Sequence, residues 1–386
     1  MKKLRSHLFI TLSILLASIA AYSFEPSING KKLIQFQWAM PNTAFLQENT
    51  DKIENMPFDG VVFMITLSKL PMTYGYHVQE GDSLSHSTFG SYTFSEEDYS
   101  HAVQNLKETS FGRFTDNFIL LSMSPGFNWT DENAWHIALH NASRLARIAR
   151  QAGCAGLAIE PRKYDKRFRL WDYFAQPDEF TGKMAYSAFP DFIKEKGQDF
   201  VRVINKEFPD IKLLLLDGPS VINQPAWRHE METWPAFVEG MCSAAADDTT
   251  IIDGNRYNFG NRFGSQFAAD RKKALEARNL FENQRLYRRI QIAASAQLDY
   301  RSEERYGWYP NDIIRNFYMP LTWQNAVFYS LAFCDEYSWI YSRYADWWHH
   351  GAMETEGEEY MQATRQGRRE PAYEGEDFLS FEIDQP

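Results

Sequence analysis

Apolar runs of roughly four to eight residues recur along this chain, each bounded by glycine, proline or an acid, and they alternate with longer amphipathic stretches. Eight of them read as strands: residues 32–38, 61–66, 118–124, 154–160, 211–216, 249–253, 289–294 and 335–342. They are too short for helices and too continuously apolar for a sheet with one wet face, which predicts parallel strands buried on both sides. The stretches between them carry helical spacing and helix-start chemistry. Ser95 followed by Glu96, Glu97 and Asp98 offers a hydroxyl cap and acids for the free amides and dipole of a first turn. Asp131 opens a helix with Ile137, Ala138, Leu145, Ile148 and Ala149 on one face, and Asp312 opens an apolar one ending near Phe333. Further helices are expected over 189–207, 234–245 and 265–281. Strand and helix alternating eight times predict an α/β fold, a single (β/α)8 TIM barrel with long insertions after its strands. An open, doubly wound sheet is the runner-up. No Gly-x-Gly-x-x-Gly follows the first strand, so that alternative lacks its dinucleotide fingerprint.

Two segments fall outside the alternation. Residues 67–93 are rich in Gly, Ser, His and Tyr, and 165–185 in aromatics, among them Phe168, Trp171, Tyr173, Phe174 and Phe180. Excursions of this length in a compact domain are usually functional or mobile, and the first, after the second strand, is expected over the barrel mouth. At the N-terminus, Lys2, Lys3 and Arg5 precede an apolar run that closes on Ala21-Tyr22-Ser23, the pattern of a secretory signal peptide over 1–23. The barrel is then expected over 24–353 and a C-terminal helix and tail over 354–386, with a periplasmic or secreted address and no membrane span in the mature chain.

Removal of that leader's three basic residues takes the formal net charge from −11 to −14. Such a surface argues against nucleic acid or anionic lipid as a partner. Three cysteines without paired spacing argue that size rather than disulfides makes the core, and Cys154 and Cys334, each at a strand start, read as small buried hydrophobes. Nothing in the charge or the cysteines specifies an oligomeric state.

The chemistry concentrates at strand ends. The fourth, fifth and sixth strands each finish on an acid before a Gly or Pro turn: Glu160, Asp217 and Asp253. Adjacent parallel strands run about 4.8 Å apart, so these carboxylates should crowd one side of the mouth. Like charges and burial then raise at least one pKa, giving the ionised and protonated pair that glycosidic cleavage requires. Arg162 and Arg256, two or three residues beyond two of the acids, oppose that shift. On the eighth strand Tyr337, Trp339 and Tyr341 share one face, an aromatic ledge suited to the apolar face of a sugar ring, with Trp347 and Trp348 as extensions; Glu336 lies on the other face. His136 and His140, four apart on a helix, lack the Glu of a zincin motif. No Gly-x-Ser-x-Gly elbow, P-loop, zinc spacing or EF-hand loop occurs, and no metal or cofactor is expected.

Pro57-Phe58-Asp59-Gly60, the run from Gly156 to Tyr164, Ile251-Ile252-Asp253-Gly254-Asn255, and residues 335–342 together resemble the landmarks of exported, glycoside-hydrolase-like barrel proteins of largely unassigned activity. The resemblance spans most of the mature chain. It implies an acid at Glu160 and second acids where Arg162 and Arg256 stand here. The resulting expectation is a glycoside hydrolase acting on a poly- or oligosaccharide, with Glu160 as general acid and Asp253 as nucleophile or base, Asp217 being the alternative. Arg162, Tyr164, Asn255, Arg256, Glu336, Tyr337, Trp339, Tyr341 and Trp38 are the expected substrate contacts. The competing expectation is a carbohydrate-binding barrel that has lost a catalytic acid.

Overall fold

A computed structural model describes residues 26–67, 83–124, 127–161, 169–300, 308–309, 312–348 and 357–373. The proposed leader, Arg162, Tyr164 and most of the final tail lie outside these residues. Among the described residues nine strands form one sheet: β1 (Lys32–Gln37), β2 (Gly60–Phe63), β3 (Phe118–Ser122), β4 (Gly156–Glu160), β5 (Lys212–Leu215), β6 (Thr250–Asp253), β7 (Ile290–Ile292), β8 (Ala294–Gln297) and β9 (Tyr337–Ser342). Every pairing is parallel, and the order is β7-β6-β5-β4-β3-β2-β1-β9-β8.

The two ends of that order are one strand. β7 and β8 are separated only by Ala293; the first half pairs with β6 and the second with β9. Ala293 donates its N–H to the Asp253 carbonyl at 2.8 Å. The ring of eight therefore closes through a strand that bends at Ala293, and the fold is the expected α/β barrel. The apolar pattern places this seventh strand over 289–294. It runs on to Gln297, through polar Ser295 and Gln297 that a search for apolar runs passes over.

Among the described residues the helices of six residues or more outside the barrel are α1 (Thr43–Glu48), α2 (Thr50–Asn55), α3 (Glu96–Glu108), α4 (Glu132–Gln151), α5 (Phe189–Glu207), α6 (Trp234–Ala244), α7 (Gly264–Glu276), α8 (Pro320–Phe333) and α9 (Glu358–Gly367). The Ser95 start holds, since the Asp98 side chain accepts from both the Ser95 N–H and its hydroxyl. Asp131 caps α4 by accepting from the Ala134 N–H at 2.9 Å. Gly153 ends that helix at φ 66°, a left-handed conformation that glycine adopts without a Cβ clash. Asp312 does not open α8. It precedes a short 3-10 turn, and α8 begins only at Pro320, a residue that suits the first turn because that position needs no amide donor.

Two cores result. Ile34, Phe36, Val62, Phe118, Leu120, Ala158, Leu214, Ile252 and Trp339 fill the barrel lumen, while alternate residues such as Leu33, Val61, Ile119, Leu157 and Leu213 pack against the helices. Cys154, Cys242 and Cys334 are all free and buried, as small hydrophobes are. Among the described residues no helix is long and apolar enough to cross a membrane. α9 packs on the barrel, with the Trp323 indole donating to Thr364 Oγ1 at 2.9 Å and Arg368 bridging to Asp59 at 2.8 Å.

Candidate active site

Because all strands are parallel, one end of the barrel collects every strand start and the other every strand finish. The start end is sealed by charge. Lys32 and Lys212 open β1 and β5, and Lys212 Nζ meets Glu336 at 2.6 Å and the Tyr337 hydroxyl at 2.5 Å. Tyr337 donates to Asp116, which also pairs with Lys32 at 3.2 Å. Glu336 and Tyr337, both expected in the site, therefore sit at the opposite end from Glu160. Their position at the start of β9, rather than their residue type, decides this.

Trp339 does not form a platform either. It is fully buried in the lumen, with its indole N–H donated to the Gly254 carbonyl at 2.8 Å. The alternation on β9 is as expected, but the shared face points into a packed barrel interior, which is normal for a barrel of eight strands. Trp347 and Trp348 are buried outside the barrel, edge-on to Phe58 and Phe45. Of the expected aromatic contacts, Tyr341 and Trp38 lie at the finish end. Trp38 follows β1, is half-buried, and has the Arg343 guanidinium 5.8 Å from its ring centroid.

At that same end Glu160 finishes β4 and Asp217 follows β5. Arg256 Nη1 reaches both, at 3.6 Å from Glu160 Oε1 and 3.3 Å from Asp217 Oδ2. Those two contacts hold the two carboxylate oxygens within about 7 Å of each other. The guanidinium is also seated on aromatic faces, 5.3 Å from the Phe259 centroid and 5.7 Å from that of Tyr341, which stack on each other with only 6° between their planes. The Tyr341 hydroxyl is held protonated, above all by burial; Arg256 opposes that shift, and Glu160 and Asp299 add to it. Glu160, Asp217, Arg256 and Tyr341 thus form one electrostatic unit.

Asp253 stands behind this unit rather than in it. It is completely buried, and its carboxylate accepts from the Ser220 N–H, the Ser220 hydroxyl and the Asn255 N–H, each at 3.0 Å. Burial pushes its pKa up to about 6; the two amides and the hydroxyl pull it down and Asp217 adds a small upward push. With three donors on its two oxygens, Asp253 ties the turn after β5 to the turn after β6. It fixes the segments that carry Asp217 and Arg256. Asn255 takes part through its backbone, at φ 45° and ψ 57°, a conformation that asparagine tolerates better than most residues. Gly218 supplies the space: a Cβ there would lie 2.1 Å from Asp253 Cγ.

Asp299, just past β8, carries no signal in the sequence beyond its residue type. One of its oxygens accepts from the N–H groups of Arg343, Tyr344 and Ala345 and so pins the turn after β9. Phe259, beneath Arg256, is likewise invisible to a search by pattern. Its only sequence signal is its place three residues after Arg256, in a turn where no helix or strand period applies.

No protein-family model matches this sequence, and no curated protein matches it. Solved structures do resemble it. PbGH5A, a glycoside hydrolase family 5 enzyme from Prevotella bryantii B14, aligns over 91% of this chain and 100% of its own at 10% identity, with a TM-score of 0.48. A GH5-4 broad specificity endoglucanase from Bacteroides salanitronis aligns over 91% and 98% at 10% identity, with a TM-score of 0.46. A GH18 chitinase from Pseudoalteromonas aurantia aligns over 87% and 100% at 13% identity, with a TM-score of 0.36. The likeness is one of fold, and the assignment of this chain as a (β/α)8 barrel rests on its own strand order and register.

Proposed function

We propose that this protein is a glycoside hydrolase whose working carboxylates are Glu160 and Asp217. The observation that carries the reading is the placement of these two acids on adjacent strand ends at the finish face, within about 7 Å through their shared contact with Arg256. Glycosidases that retain configuration hold their carboxyl groups about 5–5.5 Å apart, and inverting ones about 6.5–9.5 Å. A bound of about 7 Å between one oxygen of each acid is compatible with both ranges. Glu160 is the general acid and Asp217 the nucleophile or base. Arg256 bridges both and fixes their carboxyl groups relative to each other. Asp253 becomes a positioning residue, because no face of its carboxylate is left for a substrate.

A second reading has its own support. An arginine paired with both acids is also an arrangement suited to a carbohydrate-binding barrel without turnover, since it leaves both carboxylates engaged. Leaving-group dependence separates the two. On aryl glycosides of the sugar that the protein recognises, Glu160→Gln should lose most activity where the leaving group needs protonation and little where it is a good one, such as dinitrophenolate. Equal loss on both substrates removes Glu160 from the acid role. Binding without turnover of either by the wild type selects the second reading.

A further inference from the structure

We propose a second, outlying carbohydrate site, an aromatic platform made by Phe174 and Tyr186 on the segment between β4 and α5. It rests on the reading of the barrel as glycan-directed and extends it to a polymeric substrate. The two rings stack with centroids 5.4 Å apart and 23° between their planes. Phe174 is 77% exposed and Tyr186 47%, the most solvent-facing pair of touching rings among the described residues. They are held from below and from the side. Tyr173 meets both rings edge-on at 5.4 and 5.3 Å and anchors its own hydroxyl on the Met184 carbonyl at 2.6 Å. The Tyr186 hydroxyl donates to Glu232. A pair of apolar rings fixed in one orientation while open to water is organised for a ligand, since neither core packing nor solvation requires the arrangement.

The segment is also tied to the candidate active site. Trp171, two residues before Tyr173, donates its indole N–H to the carbonyl of Pro161, the residue after Glu160, at 3.0 Å. It packs at 4.9 Å against Trp234, whose indole N–H is donated to the Asp217 carbonyl at 2.9 Å. The platform and both carboxylates thus share one rigid indole bridge.

The size and chemistry of the patch choose its occupant. The exposed fractions leave roughly 250 Å² of aromatic surface, well below the ~800 Å² that each partner contributes to a stable protein–protein interface. The area suits one or two sugar rings, whose C–H faces rest on aromatic faces, and the Glu232 carboxylate at the edge accepts hydroxyls. The acidic balance of the chain disfavours a polyanion, so the inferred ligand is a neutral polysaccharide.

The test is retention of the full-length protein by insoluble cellulose, chitin and xylan, measured as depletion from solution, beside hydrolysis of a short soluble glycoside. Phe174→Ala combined with Tyr186→Ala should weaken retention on the recognised polymer about tenfold or more, because both apolar ring faces are gone. Phe174→Trp should retain it, and kcat on the short substrate should not change. Both side chains are exposed, and an unchanged thermal midpoint confirms that the fold is intact. The proposal is overturned if the double variant is retained as strongly as the wild type, or if no polymer retains the wild type. Loss of retention in the double variant of a protein that cleaves nothing would leave the platform standing and remove the hydrolase reading.

Discussion

Replacing Arg256 by Met tests whether Glu160 and Asp217 form one electrostatic unit. Methionine keeps much of the stem that lies on Phe259 and Tyr341 but removes a positive charge 3.6 and 3.3 Å from two carboxylates. Those carboxylates are only 7% and 2% exposed, so solvent screening is weak. At an effective dielectric of about 20, each contact is worth ~5 kcal/mol of gross attraction. Desolvation of the three groups offsets much of that, and removing one partner from a buried ionic arrangement typically costs about 3–5 kcal/mol. The two carboxylates also repel across at most about 7 Å, by a further ~2 kcal/mol or more at the same dielectric once the cation between them is gone. The variant should therefore be about 3–5 kcal/mol less stable than the wild type at pH 7.5 by urea unfolding, and adding Asp217→Asn should recover part of that deficit because the repulsion is then gone. A deficit below about 1 kcal/mol, or no recovery in the double variant, would refute the reasoning, because the two acids would then not be coupled through Arg256.

Three further outcomes follow from the packing around this unit. Gly218→Ala places a Cβ 2.1 Å from the immobile Asp253 carboxyl carbon, at an ordinary φ of −76°, so the cost is steric alone, about 1–3 kcal/mol or more by urea unfolding; adding Asp253→Ala should cost less than the sum of the two changes. Asp253, raised to about 6 by burial, should make the wild type lose about 2 kcal/mol relative to Asp253→Asn as pH rises from 4 to 7.5, and a pH-independent difference would contradict this. The three buried thiols, each pushed up to about 12, should be inert to Ellman's reagent in the folded protein and all react after unfolding.

The barrel was legible because parallel strands buried on both faces leave an apolar run with a hard stop, as at 154–160 and 211–216. The exception is instructive. The seventh strand bends at Ala293 and continues through Ser295, whose hydroxyl is donated to the Asn255 carbonyl, so its second half carries no hydrophobic signature. The site was legible in part. The acids at the ends of β4, β5 and β6 announce themselves, but which of them meets Arg256 and which is consumed by turn amides depends on how two loops cross, a long-range fact. The β9 aromatics show a different limit: period two gives the shared face of Tyr337, Trp339 and Tyr341, yet not whether that face lines an open mouth or a filled lumen. Phe174 and Tyr186, twelve residues apart in an aperiodic segment, could be paired only by the fold.

The central claim is that Glu160 and Asp217 together cleave a glycosidic bond, and the most direct measurement is reducing-end release from a panel of plant, algal and bacterial glycans. The wild type should release sugar from at least one member, while Glu160→Gln and Asp217→Asn, folded by circular dichroism, should each fall by a factor of about a hundred or more. Release by either variant at the wild-type rate would contradict the assignment of these two acids as the catalytic pair.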